Sequence, residues 1–132
     1  MKVRLLFIDR DKEDFDVICD ILSEIAPDCE CVWANNLEKG QELLQKFPPW
    51  HYVFCDCWFI RLGIDVQKVS DVVQISEQQK STFVLYSADL SLLDFFETAT
   101  GKRPPFLIKS HNIQELKQQL AGFFERTLKR RS

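Results

Sequence analysis

No stretch of this 132-residue chain approaches the ~20 consecutive apolar residues that cross a bilayer, so no membrane span is expected. No secretory leader is expected either: Met1-Lys2 runs straight into a six-residue apolar segment, too short for a signal core. Basic residues are not in excess. There are 17 against 20 acidic ones, a net charge of -3, which argues against a nucleic-acid partner because phosphate neutralisation needs a basic surface. The one dense positive cluster, Lys129-Arg130-Arg131, reads as a solvated helix end. Linkers, repeats and low-complexity segments are absent. The five cysteines are an odd number in no secreted framework, so the expected compartment is the cytoplasm, with reduced thiols. At 45% hydrophobic and 28% charged residues, what remains is an ordinary globular composition, sized for one domain over residues 1–132.

Short apolar runs alternate with helical periodicity along the whole chain. Val3–Ile8 reads as a buried strand that stops at Asp9-Arg10-Asp11. Phe15, Ile18, Ile21, Leu22 and Ile25 then recur at helical spacing, with Asp11 as N-cap and Pro27 as terminator. Cys29–Ala34 is a second strand. Asn35 or Asn36 caps a short helix that Pro48-Pro49 stops. His51–Asp56 is a third strand, 57–65 a loop, and Val66 to Ile75 a third helix. Thr82–Tyr86 is a fourth strand ending at Ser87, followed by a helix with Leu90, Leu93, Phe95 and Phe96 that ends near Gly101. Pro105–Ile108 is a fifth strand ending at Lys109. Asn112 and Glu115 then form an Asn-x-x-Glu cap for a helix with Leu116, Leu120, Phe123, Phe124 and Leu128. Alternating β and α units predict a parallel sheet with helices on both faces. Five units are too few for an eight-stranded barrel, so the expected architecture is a five-stranded doubly wound α/β sheet with five helices.

Four strands end in polar residues: Asp9, Asp56, Ser87 and Lys109. In a parallel sheet these ends share one edge, where ligands and chemistry collect. Two carboxylates, a hydroxyl and an ammonium suit phosphoryl transfer to a carboxylate. One carboxylate attacks phosphorus and the other helps hold a hard divalent cation. The hydroxyl and ammonium bind the phosphoryl oxygens. A flavodoxin-like cofactor carrier is disfavoured, because no strand-end loop has the glycines or hydroxyls to cradle a phosphate.

The segments Leu5-Leu6-Phe7-Ile8-Asp9, Val53-Phe54-Cys55-Asp56, Val84-Leu85-Tyr86-Ser87-Ala88 and Phe106-Leu107-Ile108-Lys109, in that order and at those intervals, resemble the receiver domain of two-component response regulators, with its CheY-like, flavodoxin-type sheet of order 2-1-3-4-5. The resemblance spans essentially the whole chain. It implies that Asp56 accepts a phosphoryl group from a histidine kinase or phosphotransfer protein. It further implies Ser87 as switch hydroxyl, Phe106 as switch aromatic and Lys109 as the conserved-type lysine. Mg²⁺ would be held by Asp9, Asp56 and the backbone carbonyl of Cys57. The protein would be a signalling phosphoacceptor rather than an enzyme, with at most slow autodephosphorylation. Its output would pass through the face of the fourth and fifth helices to a protein partner or a homodimer, since no effector domain follows within these residues.

Three departures qualify this reading. The second acid that usually follows the first strand is Arg10 here, which weakens the metal site, with Asp11 as a substitute donor. Arg10 either points to solvent or reaches Asp56 in place of the cation. Ser110 follows Lys109 where the family has a proline after a cis bond, so this turn is either trans or strained. The segment after Asp56 also lacks the usual Met-Pro. If the metal site is broken, the alternative is a pseudo-receiver that acts as an interaction module. Cys29-x-Cys31 and Cys55-x-Cys57 read as buried structural thiols rather than zinc ligands, because strand periodicity explains their spacing. His51 and His111 read as ordinary polar residues, and Trp58 as either a screen over the acceptor or loop packing. One member each of Phe95-Phe96 and Phe123-Phe124 is expected on the surface.

Overall fold

A computed structural model describes the backbone of residues 2–131 and the side chains of residues 2–128. The side chains of the Lys129–Arg131 cluster lie outside the described residues. Five strands alternate with five α-helices: β1 Val3–Ile8, α1 Lys12–Ile25, β2 Cys29–Ala34, α2 Leu37–Lys46, β3 Tyr52–Asp56, α3 Val66–Gln78, β4 Thr82–Ser87, α4 Ser91–Thr100, β5 Phe106–Ile108 and α5 Ile113–Arg131. All strand pairs are parallel, in the order β2-β1-β3-β4-β5, which is the order the sequence reading expects. No described helix is long and apolar enough to cross a membrane.

The alternation of side chains along each strand divides the core in two. Leu6, Ile8, Val53, Cys55, Phe83 and Leu85 point to the face covered by α2, α3 and α4, through Leu37, Leu44, Val69, Val72, Leu93 and Phe96. Leu5, Phe7, Tyr52, Phe54, Val84 and Tyr86 point to the face covered by α1 and α5. The capping signals act as read. The Asp11 carboxylate accepts from the Glu13 N–H, Asn36 rather than Asn35 caps α2, and Gly101 closes α4 at φ 74°.

Three expectations change. The loop expected over 57–65 contains a 3-10 helix, Cys57–Gly63. The Asp56 carboxylate caps it by accepting from the Trp58 N–H at 3.2 Å, and buried Phe59 and Ile60 hold it against the core. It kinks at Leu62, which is left-handed (φ 55°) and projects into solvent. Second, Phe123 and Phe124 are both buried. The aromatic pair Tyr52 and Phe54 on β3 is broad enough to take both rings, with centroids 4.6 Å apart for Tyr52–Phe124 and 6.1 Å for Phe54–Phe123. Of the other pair, Phe96 is core and Phe95 is exposed, as expected. Third, the cap of α5 is not a closed box. The Asn112 side chain accepts from the Glu115 N–H, but the Glu115 carboxylate takes the Ser110 hydroxyl instead of the Asn112 N–H. Among the described residues the one cis peptide joins Pro48 and Pro49, so Lys109–Ser110 is trans.

Candidate functional site

Parallel register brings the polar strand ends together. Ile8 lies opposite Cys55, and Ser87 opposite Ile108. The next residues therefore emerge side by side: Asp9 after β1, Asp56 ending β3, Ser87 ending β4 and Lys109 after β5. Two backbone bonds fix the rim, Asp9 N–H to the Ala34 carbonyl at 3.0 Å and Lys109 N–H to the Ser87 carbonyl at 2.9 Å. Trp33, on the neighbouring edge strand, donates its indole N–H to the Asp9 carbonyl at 2.7 Å.

Lys109 is the hub. Its ammonium lies 3.0 Å from Asp56, 3.5 Å from Asp9 and 2.7 Å from Asp14. Asp14 is the residue the sequence reading missed. It sits in the first turn of α1, one helical turn beyond Arg10, and its place within the acidic run Asp9, Asp11, Glu13, Asp14 is the signal that could have revealed it. Asp11, the expected substitute donor, is committed elsewhere: its carboxylate caps α1, and its N–H donates to Asp9 Oδ1 at 2.8 Å.

Burial gives this cluster its electrostatic character. Asp9 is fully buried. Desolvation first, and then the neighbouring Asp56 charge, push its carboxyl up to about 8. Burial alone would depress the Lys109 ammonium, but Asp14, Asp56 and Asp9 hold it above the ordinary lysine value. Asp9, Asp14 and Asp56 each offer an oxygen within 4.8 Å of the others. Such a set of hard carboxylate donors fits Mg²⁺.

Asp14, Asp56 and Lys109 line an open cleft of about 300 Å³, with Arg10, Trp58, Arg61, Ser87, Asp89 and Leu92 on its walls, and Asp9 lies buried beneath. Arg10 makes no ion pair with Asp56 among those the described residues show. Its guanidinium carbon lies 3.9 Å from the Trp58 ring centroid, and that of Arg61 lies 3.2 Å from it. Both guanidiniums therefore pack on the Trp58 indole as cation–π contacts. Trp58 is thus both cleft wall and packing partner. Ser87 is engaged locally: its hydroxyl donates to the Asp89 carbonyl at 3.0 Å and accepts the Asp89 N–H at 2.9 Å. Cys57, next to Asp56, is buried with its thiol against Ser87, and burial pushes that thiol up to about 12.

Phe106 is turned outward. With Leu90, Phe95 and Ile108 it leaves apolar surface around α4 and β5. His51 is buried at the far end of the sheet, where its Nδ1 accepts from the Arg4 N–H. His111 lines a neighbouring cleft between α1 and α5.

No protein-family model matches this chain, and no curated protein is similar to it in sequence. Solved structures do match. The phosphorylated cyanobacterial phytochrome response regulator RcpA aligns at a TM-score of 0.76 over 97% of this chain and 95% of its own, at 15% identity. A response regulator in red light signalling of R. palustris aligns at 0.74 over 93% and 92%, at 14% identity. Chemotaxis protein CheY4 of Vibrio cholerae aligns at 0.68 over 91% and 97%, at 16% identity. The chain has the response-regulator receiver fold. At this edge of the fold Arg10 follows Asp9, where the resemblance leads one to expect a second acid, and Asp14 reaches the cleft from the helix.

Proposed function

We propose that this receiver-fold protein is a phosphoacceptor in two-component signalling, with Asp56 taking a phosphoryl group from a histidine kinase or a phosphotransfer protein. The observation that carries this reading is the Lys109 ammonium held against Asp56, Asp9 and Asp14 beside Ser87, at the mouth of an open cleft.

An Asp56 carboxylate oxygen attacks phosphorus. The bond from phosphorus to the donor's imidazole nitrogen, or to acetate in acetyl phosphate, breaks as the new acyl phosphate bond forms. Asp56 is oriented for this by the Trp58 N–H on Oδ1 and by Lys109. Lys109 stays charged and neutralises oxygens on the transferring group. Asp9, Asp14 and Asp56 would hold Mg²⁺, which supplies further positive charge to those oxygens.

Once phosphorylated, the Asp56 side chain offers new acceptor oxygens. Ser87 exchanges its bonds with Asp89 for one to the phosphoryl group, which shifts the start of α4 and lets Phe106 repack inward. The apolar surface of Leu90, Phe95, Phe106 and Ile108 would carry the output to a protein partner or a second copy of the chain. The protein is in this reading a cytoplasmic switch, with no chemistry beyond its own phosphorylation and slow dephosphorylation.

Incubation with acetyl phosphate and Mg²⁺, followed by a phosphate-affinity gel, tests the proposal. A retarded band that disappears in Asp56→Asn supports it. No retarded band, or one that survives Asp56→Asn, overturns it in favour of a phosphorylation-independent interaction module.

A further inference from the structure

The two arginines that share the Trp58 ring are held differently. Arg61 is half-buried and fixed twice: its guanidinium carbon lies 3.2 Å from the ring centroid, and its Nη1 donates to the Trp58 carbonyl at 3.0 Å. Arg10 is exposed and rests on the ring alone, 3.9 Å from the centroid. Its guanidinium meets no carboxylate, carbonyl or hydroxyl among the described residues, although Asp11, Asp14, Asp56 and Asp89 line the same cleft. Those acids are already engaged. Asp14 and Asp56 hold Lys109, Asp11 caps α1, and Asp89 takes the Ser91 N–H and hydroxyl. Trp58 is itself tied to the Asp56 carboxylate through its backbone N–H at 3.2 Å. The ring thus keeps a fork of N–H donors with no protein acceptor on the wall of the cleft that holds Asp56.

We propose that Arg10 is a phosphoryl-binding residue, which rests on Trp58 while Asp56 is unmodified and turns to the phosphoryl oxygens when Asp56 carries them. This rests on the phosphoacceptor reading and adds to it a donor that the reading does not use. An acyl phosphate replaces one carboxylate charge by up to about two and presents three oxygens. Among the described residues Lys109 is the one cation in ion-pair contact with Asp56, and it is shared with Asp9 and Asp14. Lys109 and Ser87 serve two of the oxygens. The third is left for the cleft wall, where Arg10 is the residue with donors to spare. A planar guanidinium suits it, because its paired N–H groups match phosphoryl oxygens. The exchange also favours the phosphoryl group, since an exposed cation–π contact is weak beside a charge-assisted bidentate hydrogen bond. Arg61 would have to give up its bond to the Trp58 carbonyl to do the same, so it stays and holds the indole in place.

The bonds made and broken are unchanged. An Asp56 oxygen attacks phosphorus, the bond from phosphorus to acetate breaks, and acetate leaves with the bonding pair. Arg10 contributes charge and hydrogen bonds and exchanges no proton. Its weight depends on what else neutralises the phosphoryl oxygens. With Mg²⁺ present those oxygens have a second source of positive charge, and without it Arg10 and Lys109 act alone. Loss of Arg10 should therefore be felt far more in the metal-free protein, whereas loss of a merely structural contact would be felt equally in both conditions.

The test labels the full chain with acetyl phosphate in excess EDTA and, separately, in saturating Mg²⁺, and follows both the phosphate-affinity gel and tryptophan emission. The wild type is expected to label in EDTA. Arg10→Met should label about tenfold more slowly there, the equivalent of one lost charge-assisted hydrogen bond, and should lose much less in Mg²⁺. Arg10→Lys, which keeps the charge but not the fork, should recover part of the rate. As the guanidinium leaves the indole, wild-type emission should change with labelling, and that change should be missing from Arg10→Met labelled in Mg²⁺. A wild type that labels in Mg²⁺ but not in EDTA overturns the role of Arg10 and leaves Asp56 as acceptor, and that comparison needs no variant. Equal rates for wild type and Arg10→Met in EDTA, or an equal loss in both conditions, overturn it likewise. A wild type that labels in neither condition overturns the phosphoacceptor reading, and this role with it.

Discussion

Asp14 on the first turn of α1 reaches the Lys109 ammonium at 2.7 Å, across 95 residues of sequence. The contact gives the cluster an acid from the helix, where the strand end carries Arg10. Removing it as Asp14→Asn should weaken Mg²⁺ binding by about tenfold, since a hard cation loses one anionic donor. Because both partners are partly solvated, the stability cost should be only about 1 kcal/mol. Isothermal titration and chemical denaturation measure the two effects independently, and unchanged Mg²⁺ affinity would remove Asp14 from the site.

Asp9 makes the metal-free protein pH-sensitive. Its carboxyl titrates near 3.8 when unfolded and is pushed up to about 8 when folded. Between those values the native state holds a proton that the unfolded state has released. Stability therefore falls as pH rises through the window, and the loss is complete above about 8. Asp9→Asn mimics the protonated form and keeps an oxygen for the Asp11 N–H. It should raise stability at pH 8.5 by on the order of 2 kcal/mol and change little near pH 4. Urea melts at both pH values test the sign. In the wild type, added Mg²⁺ should recover much of the alkaline loss.

Arg10 costs the cleft an anion and adds a cation stacked on Trp58. Arg10→Asp should tighten Mg²⁺ binding by about tenfold or more, because a fourth carboxylate replaces a repelling charge at the rim. The same substitution gives up a cation–π contact worth about 0.5–1 kcal/mol. A Mg²⁺ titration that gives the wild-type affinity would mean Arg10 has no bearing on the metal.

Gly40, in the middle of α2, packs directly on β1. A Cβ there would lie 2.5 Å from Ile8 Cδ1 and 2.8 Å from Cγ1. Alanine gains about 1 kcal/mol of helix propensity, but overpacking a full core costs about 1–3 kcal/mol. Ile8 is completely buried, so the second effect should win and Gly40→Ala should lower the melting temperature. Since Ile8 precedes Asp9, the variant should also loosen Mg²⁺ binding. A higher melting temperature would show that Ile8 can turn aside.

Strand positions and the meeting of Asp9, Asp56, Ser87 and Lys109 were legible in the sequence, while the strand order came with the family resemblance. They follow from local patterns, namely apolar runs that end in polar residues, plus a topology rule that sends parallel strand ends to one edge. Contacts that depend on side-chain reach were not legible. Asp14 joins the cluster only because α1 starts at Asp11, which aims its first turn at Lys109. Arg10 was read as pointing to solvent or to Asp56, and Trp58 offered a third option that no spacing announces. Phe123 and Phe124 are both buried because β3 presents two aromatic side chains beneath α5, a match between distant segments that helix periodicity alone does not contain.

The three tryptophans form a built-in set of optical probes. Trp58 walls the cleft at Asp56 with two arginines packed on its ring, and Trp33 grips the Asp9 carbonyl from the edge strand. Trp50 is buried at the opposite end of β3, under Arg4 and bonded to the Leu43 carbonyl. The first residue of β3, Tyr52, is about 13 Å from Asp56 by strand rise, and Trp50 lies beyond it. Single-tryptophan variants would therefore report separately on the cleft, on its supporting strand and on a distant reference point. Metal binding and phosphorylation could then be told apart by colour and quenching in one unlabelled protein.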